Sequence, residues 1–376
     1  MLVRLSKENQ QWVESIWDKL DKKLSKVTLR SKNKIPYTTQ NGIHDNKAET
    51  DIGWWTNGFW GGLNWLMYVA TGKEVYKETA VVSEVMLDKV FDIPKRLDHD
   101  AGFIWHLTAG LDYRLTGDEN AFNRNYKAAM SLMSRFNIRG SFIRAWNTDN
   151  AKGWSIIDCM MNLSLLFWAS EALQDDRFMQ VAKAHADMAM RQHVREDGSV
   201  NHIVSHDLIT GEFKEGLAGQ GYSVGSSWSR GCAWAVYGFA IAFAHTKEER
   251  YLQTAKKVAE HIIENLKQTG WLPLTDFKAP ARPVKYDSTA GACIACGLIE
   301  ISKYVSENET TMYLMSAINI LKAMEDSWCN WEENEDSILQ MGMEAYCSQK
   351  NIPIIYGDFF FVEAMLKLKN QEFLVW

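Results

Sequence analysis

CAWAVYGFAIAFAHTKEERYLQTAKKVAEHII, residues 232–263, is the stretch that decides the fold. From Ala233 to Ala244 it is apolar on almost every side. A polar turn, His245-Thr246-Lys247-Glu248-Glu249, follows, and then a helical pattern that opens with Tyr251 and carries Ala255 four residues on. A helix that is apolar all round must be enclosed, whereas one with a single apolar stripe covers something else. The unit is an inner helix, a turn and an outer helix.

The unit repeats along the chain. Aromatic and alanine stand four apart again at Tyr76/Ala80, Phe178/Ala182 and Tyr313/Ala317, and matching turns occur at Ala70–Glu74, Leu115–Glu119 and Leu173–Asp176. Periodicity predicts helices over 7–26, 58–71, 74–91, 102–115, 119–136, 159–173, 176–193, 232–246, 248–268, 289–305, 309–327 and 357–369, while strand alternation is scarce. Irregular spacing between repeats argues against an open solenoid and for a closed ring with inserted loops. The expected fold is all-α, an (α/α)6 barrel of six hairpins. With six prolines and no Ser- or Pro-rich linker, one domain over residues 1–376 is expected. In such a ring the loops that precede inner helices crowd together at one mouth, which is where function is sought.

Composition excludes several classes. The net charge is −6, without a basic block, so nothing points to nucleic acid. The run 233–244 is too short to span a bilayer, and Met1–Glu8 has no apolar leader, so a cytoplasmic protein is expected. Six scattered cysteines read as reduced thiols, and the lone Cys293-Ile294-Ala295-Cys296 has no second pair to make a zinc site. The histidines show no HExxH, and no P-loop occurs. The glycines at 219–225 follow no strand, so they are no dinucleotide fingerprint.

Of the sixteen tryptophans, six are gathered in residues 54–60, 144–146 and 228–234. Indole offers a flat apolar plate with an N–H at its edge, which suits a sugar ring as well as it suits a core. Among these clusters stand residues with chemistry. Asp158, flanked by apolar residues at the start of an inner helix, reads either as an N-cap or as a general acid kept protonated by desolvation. Asp100, with His99 beside it, precedes another inner helix and could supply the second carboxylate that glycosidic chemistry uses. His202 lies in the longest stretch without helical period. Gln220 and Arg230 bracket a Gly- and Ser-rich loop; Arg230, between Trp228 and Trp234, could grip a carboxylate with two parallel hydrogen bonds or make an ordinary ion pair.

Taken in order, Trp55-Thr56-Asn57-Gly58-Phe59-Trp60, His99-Asp100-Ala101-Gly102-Phe103, Ile156-Ile157-Asp158-Cys159, Gln220-Gly221-Tyr222-Ser223, Ser227-Trp228-Ser229-Arg230-Gly231, Asp287-Ser288-Thr289-Ala290 and Gly357-Asp358-Phe359-Phe360-Phe361 resemble the unsaturated glucuronyl hydrolases, glycoside hydrolase family 88. The resemblance runs from about residue 50 to the C-terminus. It implies an (α/α)6 barrel that removes 4,5-unsaturated uronic acid from the non-reducing end of lyase-made oligosaccharides, glycosaminoglycan disaccharides foremost, by hydrating the C4=C5 vinyl ether. Asp158 would be general acid and base and Asp100 its partner, with Trp55, His99, Trp146, His202, Gln220, Trp228, Arg230 and Trp234 lining the pocket. Neither metal nor organic cofactor is expected. The implied partner is the unsaturated oligosaccharide alone, with no nucleic acid and no membrane, met by a monomer or homodimer.

Four positions bear on substrate preference. Gly219 stands where the resemblance leads one to expect a basic residue, and Asp98 where a His is common. Ser348 and Lys350, in Tyr346-Cys347-Ser348-Gln349-Lys350, partly resemble a loop linked to sulfated substrates. The competing readings are the related family 105 on pectin fragments, an N-acylglucosamine epimerase-like isomerase, and a sugar-binding scaffold without activity.

Overall fold

The computed structural model describes residues 4–371 and 374–376; residues 1–3, the head of the stretch read as lacking a leader, lie outside it. Twelve helices carry the fold among the described residues: α1 Lys7–Ser31, α2 Asn57–Thr71, α3 Glu74–Leu87, α4 Ala109–Thr116, α5 Glu119–Ser134, α6 Ser164–Leu173, α7 Asp176–Gln192, α8 Ser229–Thr246, α9 Glu249–Gln268, α10 Ser288–Ser302, α11 Glu307–Trp328 and α12 Ile355–Leu368. The inner ring is α2, α4, α6, α8, α10 and α12, and it closes because α12 packs against α2. Each inner helix is backed by an outer one; α12 is backed by α1, so the last inner helix pairs with the first outer helix. This is the expected (α/α)6 barrel. None of the described helices is long and apolar enough to cross a membrane.

The aromatic–alanine pairs explain the packing. Tyr76, Ala80, Phe178, Ala182, Tyr251, Ala255, Tyr313 and Ala317 are all buried where outer helices meet the inner wall. The inner helix α12 is buried on every side, through Phe359, Phe360 and Phe361. The hairpin turns share one backbone solution, a left-handed residue after the inner helix: Gly72 and Gly117, and at matching places Gln174 and Lys247. The axis of the ring is stopped by Trp376, which stacks on Phe360 at 5.9 Å and meets Phe103 and Tyr237 from other inner segments.

Two inner helices differ from expectation, and both differences serve the mouth. Residues 102–115 do not form one helix: Gly102–His106 is a π-turn, and α4 begins only at Ala109. Residues 159–173 likewise split into a single turn, Cys159–Asn162, and α6. The cause is a cross-link between the two breaks. Asn162 Oδ1 accepts the Phe103 N–H at 2.8 Å, while Asn162 Nδ2 donates to the Asp158 carbonyl at 3.2 Å. The segments touch so closely that a Cβ on Gly102 would lie 2.8 Å from Asn162, and one on Gly58, at the start of α2, 2.1 Å from the Phe103 carbonyl oxygen.

A small antiparallel sheet, β1 Trp154–Ile156, β2 Ile203–His206 and β3 Phe213–Leu217, fills part of the stretch without helical period. Two-residue hairpins pair Thr39–Gln40 with Ile43–His44 and Phe136–Asn137 with Phe142–Ile143. These strands are too short for alternation to reveal them. Their register matters: Ile156 faces Ile203, and Ile157 N–H donates to the His202 carbonyl at 3.0 Å, which brings the following Asp158 beside His202.

Gly58→Ala forces a methyl into the Phe103 and Ile104 backbone, and neither strand of main chain can yield as a side chain would. The expected outcome is a loss of about 3 kcal/mol of unfolding free energy, read from the urea midpoint.

Candidate active site

The mouth of the barrel holds a cavity of about 280 Å³ lined by Gly53, Trp54, Trp55, Arg96, Asp98, His99, Asp100, Trp146, Asp158, Gln220 and Arg230. Seven of the residues singled out in the sequence meet here: Trp55, His99, Asp100, Trp146, Asp158, Gln220 and Arg230. Trp146 stands edge-on to His99 at 5.6 Å, and Trp55 packs against Tyr356 at 5.0 Å, so each indole has a wall behind it.

Asp158 occupies the N-cap position of the turn Cys159–Asn162, but its side chain makes no capping hydrogen bond. The carboxylate is aimed at the cavity instead. Its Oδ1 lies 3.4 Å from His202 Nε2, and neither atom has a hydrogen-bonded partner among the described residues. The tautomer of His202 is set from the other side of the ring, because Gln220 N–H donates to Nδ1 at 2.9 Å. A ring whose Nδ1 accepts carries its proton on Nε2, toward Asp158.

Burial alone would push the Asp158 carboxyl up, but His202, His99 and Arg230 outweigh it and hold the group below its ordinary 3.8. Asp100 is pushed well above the carboxylate range by burial and then by the like charges of Asp98 and Asp158. His99 Nδ1 faces the Ala145 carbonyl at 3.1 Å, and a carbonyl only accepts, so Nδ1 carries the ring proton. His99 Nε2, 3.3 Å from Asp100 Oδ1, is then the acceptor for the Asp100 proton. Asp98, His99 and Asp100 could also offer a cation one donor atom each within 4.8 Å. Those donors are already engaged, since Asp98 Oδ1 accepts the Asp100 N–H at 3.0 Å and His99 faces the Asp100 carboxyl.

Arg230 is bonded extensively within the protein. Its guanidinium is 1% exposed, and Nη1 donates to Asp287 Oδ2 at 2.7 Å, to Thr289 Oγ1 at 3.2 Å and to the Met343 carbonyl. Nη2 donates to the Glu344 carbonyl at 2.6 Å, which also receives Gln220 Nε2 at 2.6 Å. The fork expected to grip a substrate carboxylate makes an ion pair within the protein and pins residues 343–344 to the cavity wall, while Arg230 still lines the cavity. Trp228 lies between His202, at 4.3 Å, and the Arg230 guanidinium, at 4.6 Å, and so backs the site. Trp234 sits a layer deeper, fully buried against Phe103 and Phe360.

Ser348 and Lys350 stand outside the cavity lining. Ser348 Oγ accepts the Ala345 N–H at 3.3 Å, and Lys285 Nζ donates to the Tyr346 and Ser348 carbonyls at 2.6 and 3.0 Å. The loop reaches the site through Tyr346 N–H, which donates to the Gln220 carbonyl at 2.8 Å. Gly219 has its own reason: with φ at +56°, a Cβ there would lie 1.9 Å from His202 Nδ1, so a basic side chain would displace the imidazole. Sequence reasoning missed Gly53, Trp54, Arg96 and Asp98 as lining residues. The nearest signal was Arg96 and Asp98 standing just ahead of His99-Asp100.

A buried acid and a buried carboxylate between indole walls, in the mouth of an (α/α)6 barrel, define a glycosidase of the α-barrel class. Known proteins agree. No protein-family model matches the chain. It is 35% identical to the unsaturated glucuronyl hydrolase of Bacillus sp. (strain GL1) over 329 residues, 84% of this chain and 86% of that one. It is 32% identical over 352 residues to the unsaturated chondroitin disaccharide hydrolase of Streptococcus agalactiae, covering 90% of this chain and 86% of that one. The crystal structure of the Bacillus sp. GL1 enzyme superposes with a TM-score of 0.88 at 31% identity, over 94% of this chain and 97% of that one. The chain belongs to the unsaturated glucuronyl hydrolases. That membership replaces the epimerase, pectin-fragment and binding-scaffold readings.

Three outcomes follow from this geometry. In the free enzyme Asp100 and Asp158 hold one proton between them, so kcat/KM rises with pH through the lowered Asp158 pKa and falls as the raised Asp100 ionises. His202→Ala leaves burial to dominate at Asp158, so the acid limb moves to higher pH, and the maximum falls roughly 10- to 100-fold. Arg230→Ala leaves Asp287 buried without its cation and costs about 3–5 kcal/mol of stability, measured by denaturant unfolding.

Proposed function

We propose that the substrate is an unsaturated glycosaminoglycan disaccharide, from which the chain removes the 4,5-unsaturated uronic acid by hydrating C4=C5. The observation that carries this reading is the pair of buried carboxyls, Asp100 and Asp158, lining one cavity between indole walls. Hydration of a vinyl ether needs one proton delivered and one proton taken back, which a pair holding a single proton can do. Relatives support the substrate class: one is named an unsaturated chondroitin disaccharide hydrolase, and a variant of the Streptococcus agalactiae enzyme, 28% identical with a TM-score of 0.82, is solved with dGlcA-GalNAc6S over 97% of this chain and 93% of that one.

The steps balance on these residues. Entry of the uronate brings a further negative charge and displaces water, and both raise the Asp158 pKa, so that in the complex Asp158 carries the proton the pair shares. The C4=C5 π electrons take that proton at C4, leaving positive charge on C5 and the ring oxygen. Asp100, now ionised, stabilises that charge, and the indoles of Trp55 and Trp146 exclude water from all but the attacking position. Water adds at C5 and gives its proton to the Asp158 carboxylate. The hemiketal so formed opens and releases the attached sugar. We place this reaction in the cytoplasm, on imported disaccharides, a reading that the six unpaired cysteines support.

Asp158→Asn keeps the shape of the side chain and removes the proton. Turnover, followed as loss of the alkene absorbance, is expected to fall at least about 100-fold while calorimetric binding persists. Near-normal turnover in that variant would overturn the assignment.

A further inference from the structure

Of the two guanidinium groups on the cavity wall, Arg230 is spent on four protein acceptors, and Arg96 is not. Arg96 ends the short turn Pro94–Arg96, and its Nη2 pairs with Asp51 Oδ2. Asp51 in turn accepts the Gly53 N–H on Oδ1 at 3.2 Å, so the ion pair is anchored to the chain that leads into the cavity. The Arg96 side chain crosses Gly53 so closely that a Cβ at 53 would lie 2.8 Å from its Cβ. The cavity thus keeps room at residue 53 for one particular cation. That side chain remains 45% exposed, against 12% for Asp158 and 8% for Asp100. Arg96 stands at the mouth, and the carboxyls stand at the floor.

Depth decides what Arg96 meets. The reacting C4 must reach Asp158 at the floor, and the uronate carboxylate is borne by the neighbouring C5, so it too lies deep. The sugar attached to the uronate extends toward the mouth. The other acidic and basic lining groups are Asp98, Asp100, Asp158, the buried His99, whose burial disfavours its charged form, and Arg230, already bonded within the protein, so Arg96 is the cation that meets an anion arriving from that side. A planar guanidinium fork fits the oxygens of a sulfate ester as it fits a carboxylate.

We infer that Arg96 is a specificity-determining residue that recognises a sulfate ester on the sugar attached to the unsaturated uronate. The inference rests on the proposed substrate and assigns the recognition to the Asp51–Gly53–Arg96 side of the cavity, away from the Ser348 and Lys350 loop. The test compares wild type and Arg96→Gln on two unsaturated disaccharides that differ only in a sulfate on the attached sugar. The expected result is a 10- to 100-fold loss of kcat/KM on the sulfated substrate, carried by KM, with less than about threefold change on the unsulfated one. Gly53→Ala, which keeps the charge and shifts the side chain, should reproduce the selective loss. Equal losses on both substrates, or none on the sulfated one, overturn it. So does a loss on the unsulfated free acid that its uronate methyl ester escapes, which would assign Arg96 to the uronate carboxylate. Calorimetric binding of the same pair is measured in parallel. If wild type turned over neither disaccharide, the proposed function would fall, while a selective loss of affinity for the sulfated one would still uphold Arg96.

Discussion

The site depends on a place where main chain touches main chain. Around residues 102–104 the backbone is pressed between the start of α2 and the turn at 159–162, with Gly58 on one side and Gly102 against Asn162 on the other. The side-chain amide of Asn162 joins the two interrupted inner helices, one bond to Phe103 N–H and one to the Asp158 carbonyl. Phe103 N–H is among the first amides of its segment, which have no partner within a helix, and Asn162 supplies one. That bond holds the segment bearing Asp100 against the segment bearing Asp158.

Electrostatics then distinguishes two carboxyls that the sequence leaves alike. Both are deeply buried, and burial alone would raise both. The difference lies in the charged neighbours: His202, His99 and Arg230 hold Asp158 down, while Asp98 and Asp158 add to burial at Asp100. Asp158 faces a nitrogen that carries its proton, because a backbone N–H occupies the opposite side of the His202 ring. Asp100 faces a bare nitrogen, because the opposite side of His99 is held by a carbonyl. Two main-chain groups, the N–H of Gln220 and the C=O of Ala145, thus set the tautomers of the two rings.

Legibility from sequence followed length scale. The helical hairpins were visible because a buried helix and a covering helix differ over a dozen residues or more, and the aromatic–alanine pairs at Tyr76, Phe178, Tyr251 and Tyr313 mark the covering face. Most of the cavity was visible too, since Asp100, Asp158, Trp55, Trp146 and Gln220 lie just ahead of or at the start of inner helices, and those ends share a mouth. The short strands were not visible, because two to five residues carry no measurable period. Nor was the fate of Arg230: its partners, Asp287, Thr289 and the carbonyls of 343 and 344, are 57 or more residues away in the chain. Arg96 escaped notice because a turn of three residues has no pattern to read.

The amino-acid sequence by itself determined the ring of helical hairpins, the end of the ring at which chemistry gathers and the family to which the motifs belong, because those rest on periodicity and on side chains of fixed type. Only the tertiary structure decided which charged neighbours each carboxyl meets, that Arg230 is bonded to Asp287 and to the carbonyls of 343 and 344, and that Arg96 stands at the mouth. Protonation and hydrogen-bond commitment depend on which groups lie within about 3 Å and how much water is excluded, and those neighbours are set by the closing of the ring rather than by order along the chain.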